Sequence, residues 1–96
     1  MNKHDTIAID KLFDAILSLE NKEECKNFFD DACTIQELTS IAQRLEVAKL
    51  LCEGKSYVEI NKLTGASTAT ICRVGKCVNY GSGGYKTALD RLNEKG

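Results

Sequence analysis

The 96-residue chain contains no proline. The ring that breaks helix interiors is missing, which fits a chain built mostly of helices with short connections. No apolar run approaches the ~18 residues of a membrane span, and no charged leader with an apolar stretch opens the chain. A cytoplasmic protein with no membrane partner is the expectation. A disulfide framework is missing too. Cys25, Cys33, Cys52, Cys72 and Cys77 are odd in number and contain no C-x-x-C, so reduced thiols are expected. Cys72 and Cys77 lack the spacing of a zinc ribbon. The single histidine, His4, has no partner in sequence. With no nucleophile, base or metal constellation, the chain does not read as an enzyme.

Net charge is nearly absent as well, at −1, but the average hides a split. Residues 1–43 carry four Lys against nine Asp or Glu; residues 44–77 carry six Lys or Arg against three Glu. The basic segment is a candidate for contact with a polyanion. Ninety-six residues suit one small domain, which buries only about 60–65% of its unfolded surface.

Helix start signals repeat along the chain. Ile9, Leu12, Phe13, Ile16 and Leu17 form one apolar face of a first helix over roughly 6–20. Asn21, with Glu24 three residues on, caps a second helix carrying Cys25, Phe28, Phe29 and Ala32. Thr34-Ile35-Gln36-Glu37 is a capping box for a long third helix that Gly54 closes. Leu38, Ile41, Ala42, Leu45, Ala48 and Cys52 stripe that helix on one side, and Val47, Leu50 and Leu51 lie on the other. A helix apolar on two sides must be buried on two sides, and a second copy of the chain is the natural source of one of them.

Ser56-Tyr57-Val58-Glu59 starts a short fourth helix through Ile60 and Leu63. Gly65 supplies a turn, and Ser67 caps a fifth helix running to about Cys77. Ile71, Val74 and Val78 lie on its inner side; Thr68, Ala69, Cys72 and Lys76 point outward, with Arg73 on the flank. Gly81-Ser82-Gly83-Gly84 ends it as a joint, since it follows no strand and lacks a P-loop lysine. A last helix over 84–95 turns Tyr85, Ala88, Leu89 and Leu92 inward.

Two short helices joined by a glycine turn form a helix-turn-helix, whose second helix enters the DNA major groove by its leading end. Small residues let that backbone approach base edges; threonine methyls meet thymine methyls, and hydroxyls serve either base. The expected DNA-binding set is Lys55, Ser56, Lys62, Ser67, Thr68, Ala69, Thr70, Cys72 and Lys76. Ser56 and the amides of the fourth helix would face a phosphate, with the lysines and Arg73 adding attraction. The bland alternative is an ordinary helical corner with a solvated face, serving as a protein-interaction module.

The stretch "TIQELTSIAQRLEVAKLLCEGKSYVEINKLTGASTATICRV" carries a threonine-capped long helix with Arg44, an L-L-x-x-G ending and E-I-x-x-x-x-G-A-x-x-A-T-I-x-R. In these features it resembles the Trp repressor family, in its YerC/YecD-like branch, closely over about residues 33–77. The resemblance implies an all-α, six-helix, intertwined homodimer. Residues 1–54 would be its dimerisation core, residues 56–77 its helix-turn-helix and residues 84–95 its C-terminal helix. It further implies a near-palindromic double-stranded DNA operator, repression, and an amino-acid-like corepressor held by Thr34, Arg44 and Arg73. Three departures point away from tryptophan as that ligand. Val74 follows Arg73 where the repressor has glycine, Cys77 replaces a serine that would meet the ligand's amino group, and "GKSY" is one residue shorter than the repressor's link.

Overall fold

The computed structural model describes residues 1–95, and among these residues every regular element is a helix. The order is α1 (Lys3–Leu17), α2 (Lys22–Ala32), α3 (Ile35–Cys52), α4 (Tyr57–Thr64), α5 (Thr68–Tyr80) and α6 (Gly84–Lys95). The fold is the expected six-helix one. No helix of the described residues is long and apolar enough to cross a membrane.

Two compact units divide the chain, Met1–Leu38 and Thr39–Gly96. The boundary falls within α3, after its first turn.

In the first unit the caps are those read from the sequence, with one addition. The Asn21 side chain accepts from the Glu24 N–H at 2.9 Å, and Glu24 Oε1 accepts from the Glu20 N–H at 2.8 Å. Thr34 and Glu37 form the reciprocal box: the Thr34 N–H donates to Glu37 Oε1 at 2.8 Å, and the Glu37 N–H donates to Thr34 Oγ1 at 3.1 Å. The Thr34 backbone N–H holds the Glu37 carboxyl below the usual carboxylate range. A depressed folded pKa contributes stability above the unfolded value and loses it as pH falls through the folded one, so this cap loosens only in acid. The addition is Asn2, whose side chain accepts from the Asp5 N–H at 2.9 Å. It starts α1 three residues before the expected position 6. Neither α1 nor α2 contains a buried residue.

The core lies in the second unit. Val47, Ala48 and Leu50 of α3 pack with Ile60 of α4, Ala66 of the turn, Ile71 and Val74 of α5 and Leu89 of α6. Thus the Val47/Leu50 side of α3, together with Ala48, is buried by its own chain, whereas Ile41, Ala42 and Cys52 on the other side remain exposed. After Cys52 the helix ends in a Schellman pattern: the Lys55 N–H donates to the Leu50 carbonyl at 3.1 Å and the Gly54 N–H to the Leu51 carbonyl at 3.0 Å.

The turn between α4 and α5 depends on Gly65, which sits in the left-handed region with φ 75°. A side chain there costs roughly 1–2 kcal/mol from Cβ–carbonyl crowding alone. Nothing in the surroundings lies within 4 Å of an added Cβ, so backbone strain is the whole effect. Gly65→Ala should lower the melting temperature by roughly 4–8 °C per kcal/mol lost. Thermal unfolding checks this, and an unchanged melting temperature would mean that the turn does not need the left-handed conformation.

Candidate nucleic-acid interface

Polar stitching makes the helix-turn-helix one body. The Asn61 side-chain amide donates to the Ala66 carbonyl at 2.8 Å, and the Thr64 hydroxyl donates to the Ile60 carbonyl at 2.7 Å while accepting from the Ala66 N–H at 3.1 Å. From α3, the Gln43 amide donates to the Thr64 carbonyl at 3.1 Å. Each of these would otherwise be an unpaired polar group in a partly buried corner. Beneath them Ile60, Ala66, Ile71 and Val74 fill the apolar side.

Ser67 caps α5: its Oγ accepts from the Thr70 N–H at 3.2 Å and donates to Thr70 Oγ1 at 3.1 Å. Thr70 is half-buried, and its hydroxyl belongs to this cap. Thr68, Ala69, Cys72, Arg73 and Lys76 are exposed. The first turn of α5 holds no acidic residue, so its positive dipole end is left uncompensated by carboxylates of its own turn. The leading end of α4 is different. Ser56 Oγ accepts from the Glu59 N–H and donates to Glu59 Oε1, both at 3.2 Å, which places a carboxylate in the first turn. Of the two helix ends, α5 is the better seat for an anion or an electronegative base edge.

Lys55 and Lys62 are exposed. Among the described residues the ion pair is Lys26–Asp30, in α2, and Lys55, Lys62, Arg73 and Lys76 have no carboxylate within salt-bridge distance. Their charges face solvent. Also among the described residues, no group of three or more His, Cys, Asp or Glu is placed to hold a metal ion.

The three residues carried over for an effector fall in different settings. Thr34 belongs to the first unit and spends its hydroxyl on the α3 cap. Arg44 is half-buried and Arg73 exposed, both in the second unit. A cavity of about 470 Å³ in that unit is lined by Ile41, Leu45, Cys77, Tyr85, Ala88 and the 81–84 loop. Neither arginine lines it, nor a smaller cavity of about 370 Å³ between α3 and α6. Val74 lines neither cavity; it is 1% exposed and sits in the core.

Sequence reasoning missed Gln43, Asn61 and Thr64, which hold the turn, and Tyr57 with Gly75, whose contact ties α4 to α5. The hydroxyl of Tyr57 would lie 3.4 Å from a Cβ at buried Gly75. A "T-G-A" turn preceded by asparagine hints at side-chain turn bonds. No local signal marks the others.

Comparison with known proteins agrees with this geometry. The profile of the family described as Trp repressor protein matches residues 8–93. The uncharacterised protein YerC of Bacillus subtilis (strain 168) is 59% identical over 86 residues, covering 90% of this chain and 83% of YerC. The crystal structure of a TrpR-like protein from Eubacterium eligens ATCC 27750 superposes with a TM-score of 0.90 at 50% identity, covering 97% of this chain and 96% of that one. That of a candidate Trp repressor from Staphylococcus aureus gives 0.87 at 48% identity, with the same coverage. With a uniform six-helix fold, a stitched helix-turn-helix and a match over nearly its whole length, the chain belongs to the Trp repressor family of DNA-binding regulators, in its YerC-like branch.

Proposed function

We propose that the protein is a sequence-specific, homodimeric transcriptional repressor acting in the cytoplasm, with α5 as its recognition helix. The observation that carries the reading is the leading end of α5. It is capped by Ser67, free of carboxylates in its first turn, and presents exposed Thr68, Ala69 and Cys72. Unpaired Lys55, Lys62 and Lys76 supply the phosphate attraction. Ser56, Ser67 and Thr70 serve mainly through the caps that shape the two helix ends. Two chains would place two such heads on a near-palindrome.

An amino-acid-like effector is the family's device for setting the heads, and Arg44 and Arg73 are its carried-over residues. We place the orientation of the head instead on packing of Val74 within the core.

Selection of bound fragments from genomic DNA, with and without an amino-acid mixture, tests the reading. Lys62→Ala or Lys76→Ala should weaken binding to all duplexes and lower the salt slope by about one. Thr68→Val should shift preference at particular bases, by about 1–3 kcal/mol per position. Thr70→Val should act partly through the lost cap bond, reducing affinity together with stability. If all four leave DNA binding unchanged, α5 is not the reading helix.

A second reading, a helical protein-interaction module, draws on exposed Val58 and Leu63 of α4, each 66% accessible. It requires that DNA affinity show no dependence on salt.

A further inference from the structure

Inside the helix-turn-helix, α4 and α5 are joined on their inner side by Ile60, Ile71 and Val74. The bonds of Asn61, Thr64 and Gln43 hold the turn, at the trailing end of α4, and leave its leading end to be held separately. A second attachment exists away from that core. Tyr57 is the first residue of α4, and its side chain reaches across to α5. Its hydroxyl lies against the Cys72 thiol and the flank of Gly75, 3.4 Å from where a Cβ would stand. The same flank meets Leu51 Cδ1 of α3 at 3.8 Å from that Cβ position. Gly75 is buried in mid-helix, where glycine costs roughly 1 kcal/mol relative to alanine. A side chain much larger than methyl there would take the space of the phenol.

We propose that Tyr57 is a positioning residue for DNA reading: its phenol hydroxyl, set against Gly75, locks the leading end of α4 to the flank of α5. The inference rests on the DNA-binding reading above. Together with the apolar core and the turn bonds, the half-exposed phenol holds the leading end of α4 and the base-facing side chains of α5 in one frame. Specific binding needs that frame, because base contacts demand alignment to within fractions of an ångström. Non-specific binding needs only charge. Tyr57 is 43% exposed, so its removal leaves the core intact.

The seat can be read without DNA. The neighbouring Cys72 thiol raises the ionisation of the Tyr57 phenol above the usual range, chiefly by its closeness to the hydroxyl and further by charge repulsion. Difference ultraviolet titration of the natural protein against Tyr57→Phe should show one tyrosine ionising late, and Cys72→Ala should return it to the ordinary range. An ordinary titration in the natural protein overturns the seat, whatever DNA does.

The second arm uses a duplex selected from a random library on the natural protein, with a scrambled duplex of equal length. Tyr57→Ala should lose at least about tenfold on the selected duplex, while the scrambled affinity and salt slope stay within about twofold. Tyr57→Phe, which removes the hydroxyl set against Gly75 and keeps the ring, should lose part of the discrimination. Unchanged discrimination in Tyr57→Ala overturns the inference and leaves the DNA-binding reading standing. Equal losses on both duplexes at an unchanged slope make Tyr57 a phosphate contact and overturn it too. Recovery of no duplex by the natural protein removes the DNA-binding reading, and the positioning role with it.

Discussion

Phe13→Glu should convert the protein from dimer to monomer at micromolar concentration and abolish operator binding. The helix that carries Phe13 has a regular apolar face, yet buries none of it in its own chain. Phe13 is 55% exposed and Leu17 83%, with Ile9 and Leu12 exposed beside them. Ile35 and Ile41 of α3 are exposed as well. Burying an apolar side chain of this size stabilises by about 1.5–3 kcal/mol, so half-covering five or six of them contributes several kcal/mol. A monomer would instead leave the apolar face of α1 to water, which folded monomers rarely do. Glutamate is a good helix former, so α1 persists in the variant; what fails is burial of an unpaired charge against a second chain. Two heads linked by a dimer core bind half-sites about one helical turn, ~34 Å, apart. One head alone forfeits the second half-site, a loss of at least about a hundredfold by the arithmetic of linked sites. Sedimentation velocity measures the first effect and duplex titration the second. A natural protein that sediments as a stable folded monomer at that concentration sinks the dimer and the argument from uncovered α1 together.

The parts legible in the sequence were those decided within four residues. Asn21, Thr34, Ser56 and Ser67 each cap the helix expected of them, because a cap is a bond between a side chain and an amide two or three positions on. Gly54 and Gly65 both take positive φ, as helix-closing glycines do. Boundaries slipped where two stop signals competed. The fifth helix runs on to Tyr80 rather than ending near Cys77, because its cap bond, from the Gly81 N–H to the Cys77 carbonyl, forms only at the first glycine. What the sequence could not display is tertiary. Gln43 reaches Thr64 across twenty-one positions, and Tyr57 finds its seat on a glycine eighteen residues away. Neither pairing has a periodicity or a motif. The inner face of α5 was readable as Ile71, Val74 and Val78, but not which of them would be fully enclosed; Ile71 and Val74 are, while Val78 is half-buried.

That enclosure gives Val74→Gly a large expected effect and makes it the decisive variant for the effector question. Val74 packs in the cluster of Val47, Ile60, Ile71 and Leu89, which joins α5 to α3, α4 and α6. Removing its three side-chain carbons forfeits about 0.8 kcal/mol per buried carbon, and glycine in mid-helix costs roughly 1 kcal/mol more. The sum, about 3 kcal/mol, should lower the melting temperature by more than ten degrees in a domain of this size. It should also loosen the reading head, so operator affinity falls with stability. By the resemblance to the Trp repressor, Val74 stands where that protein has glycine. In this chain the valine is held by its own core rather than by a ligand cavity. Tryptophan should therefore give no calorimetric heat with the natural protein, no change in operator affinity, and no rescue of Val74→Gly. The opposite result is equally plain to read. Linkage requires that a ligand which tightens operator binding be itself bound more tightly by the operator complex, by the same factor. Reciprocal tightening by tryptophan in the natural protein would show that Arg44 and Arg73 hold an effector after all, and that the packing of Val74 is not what orients the head.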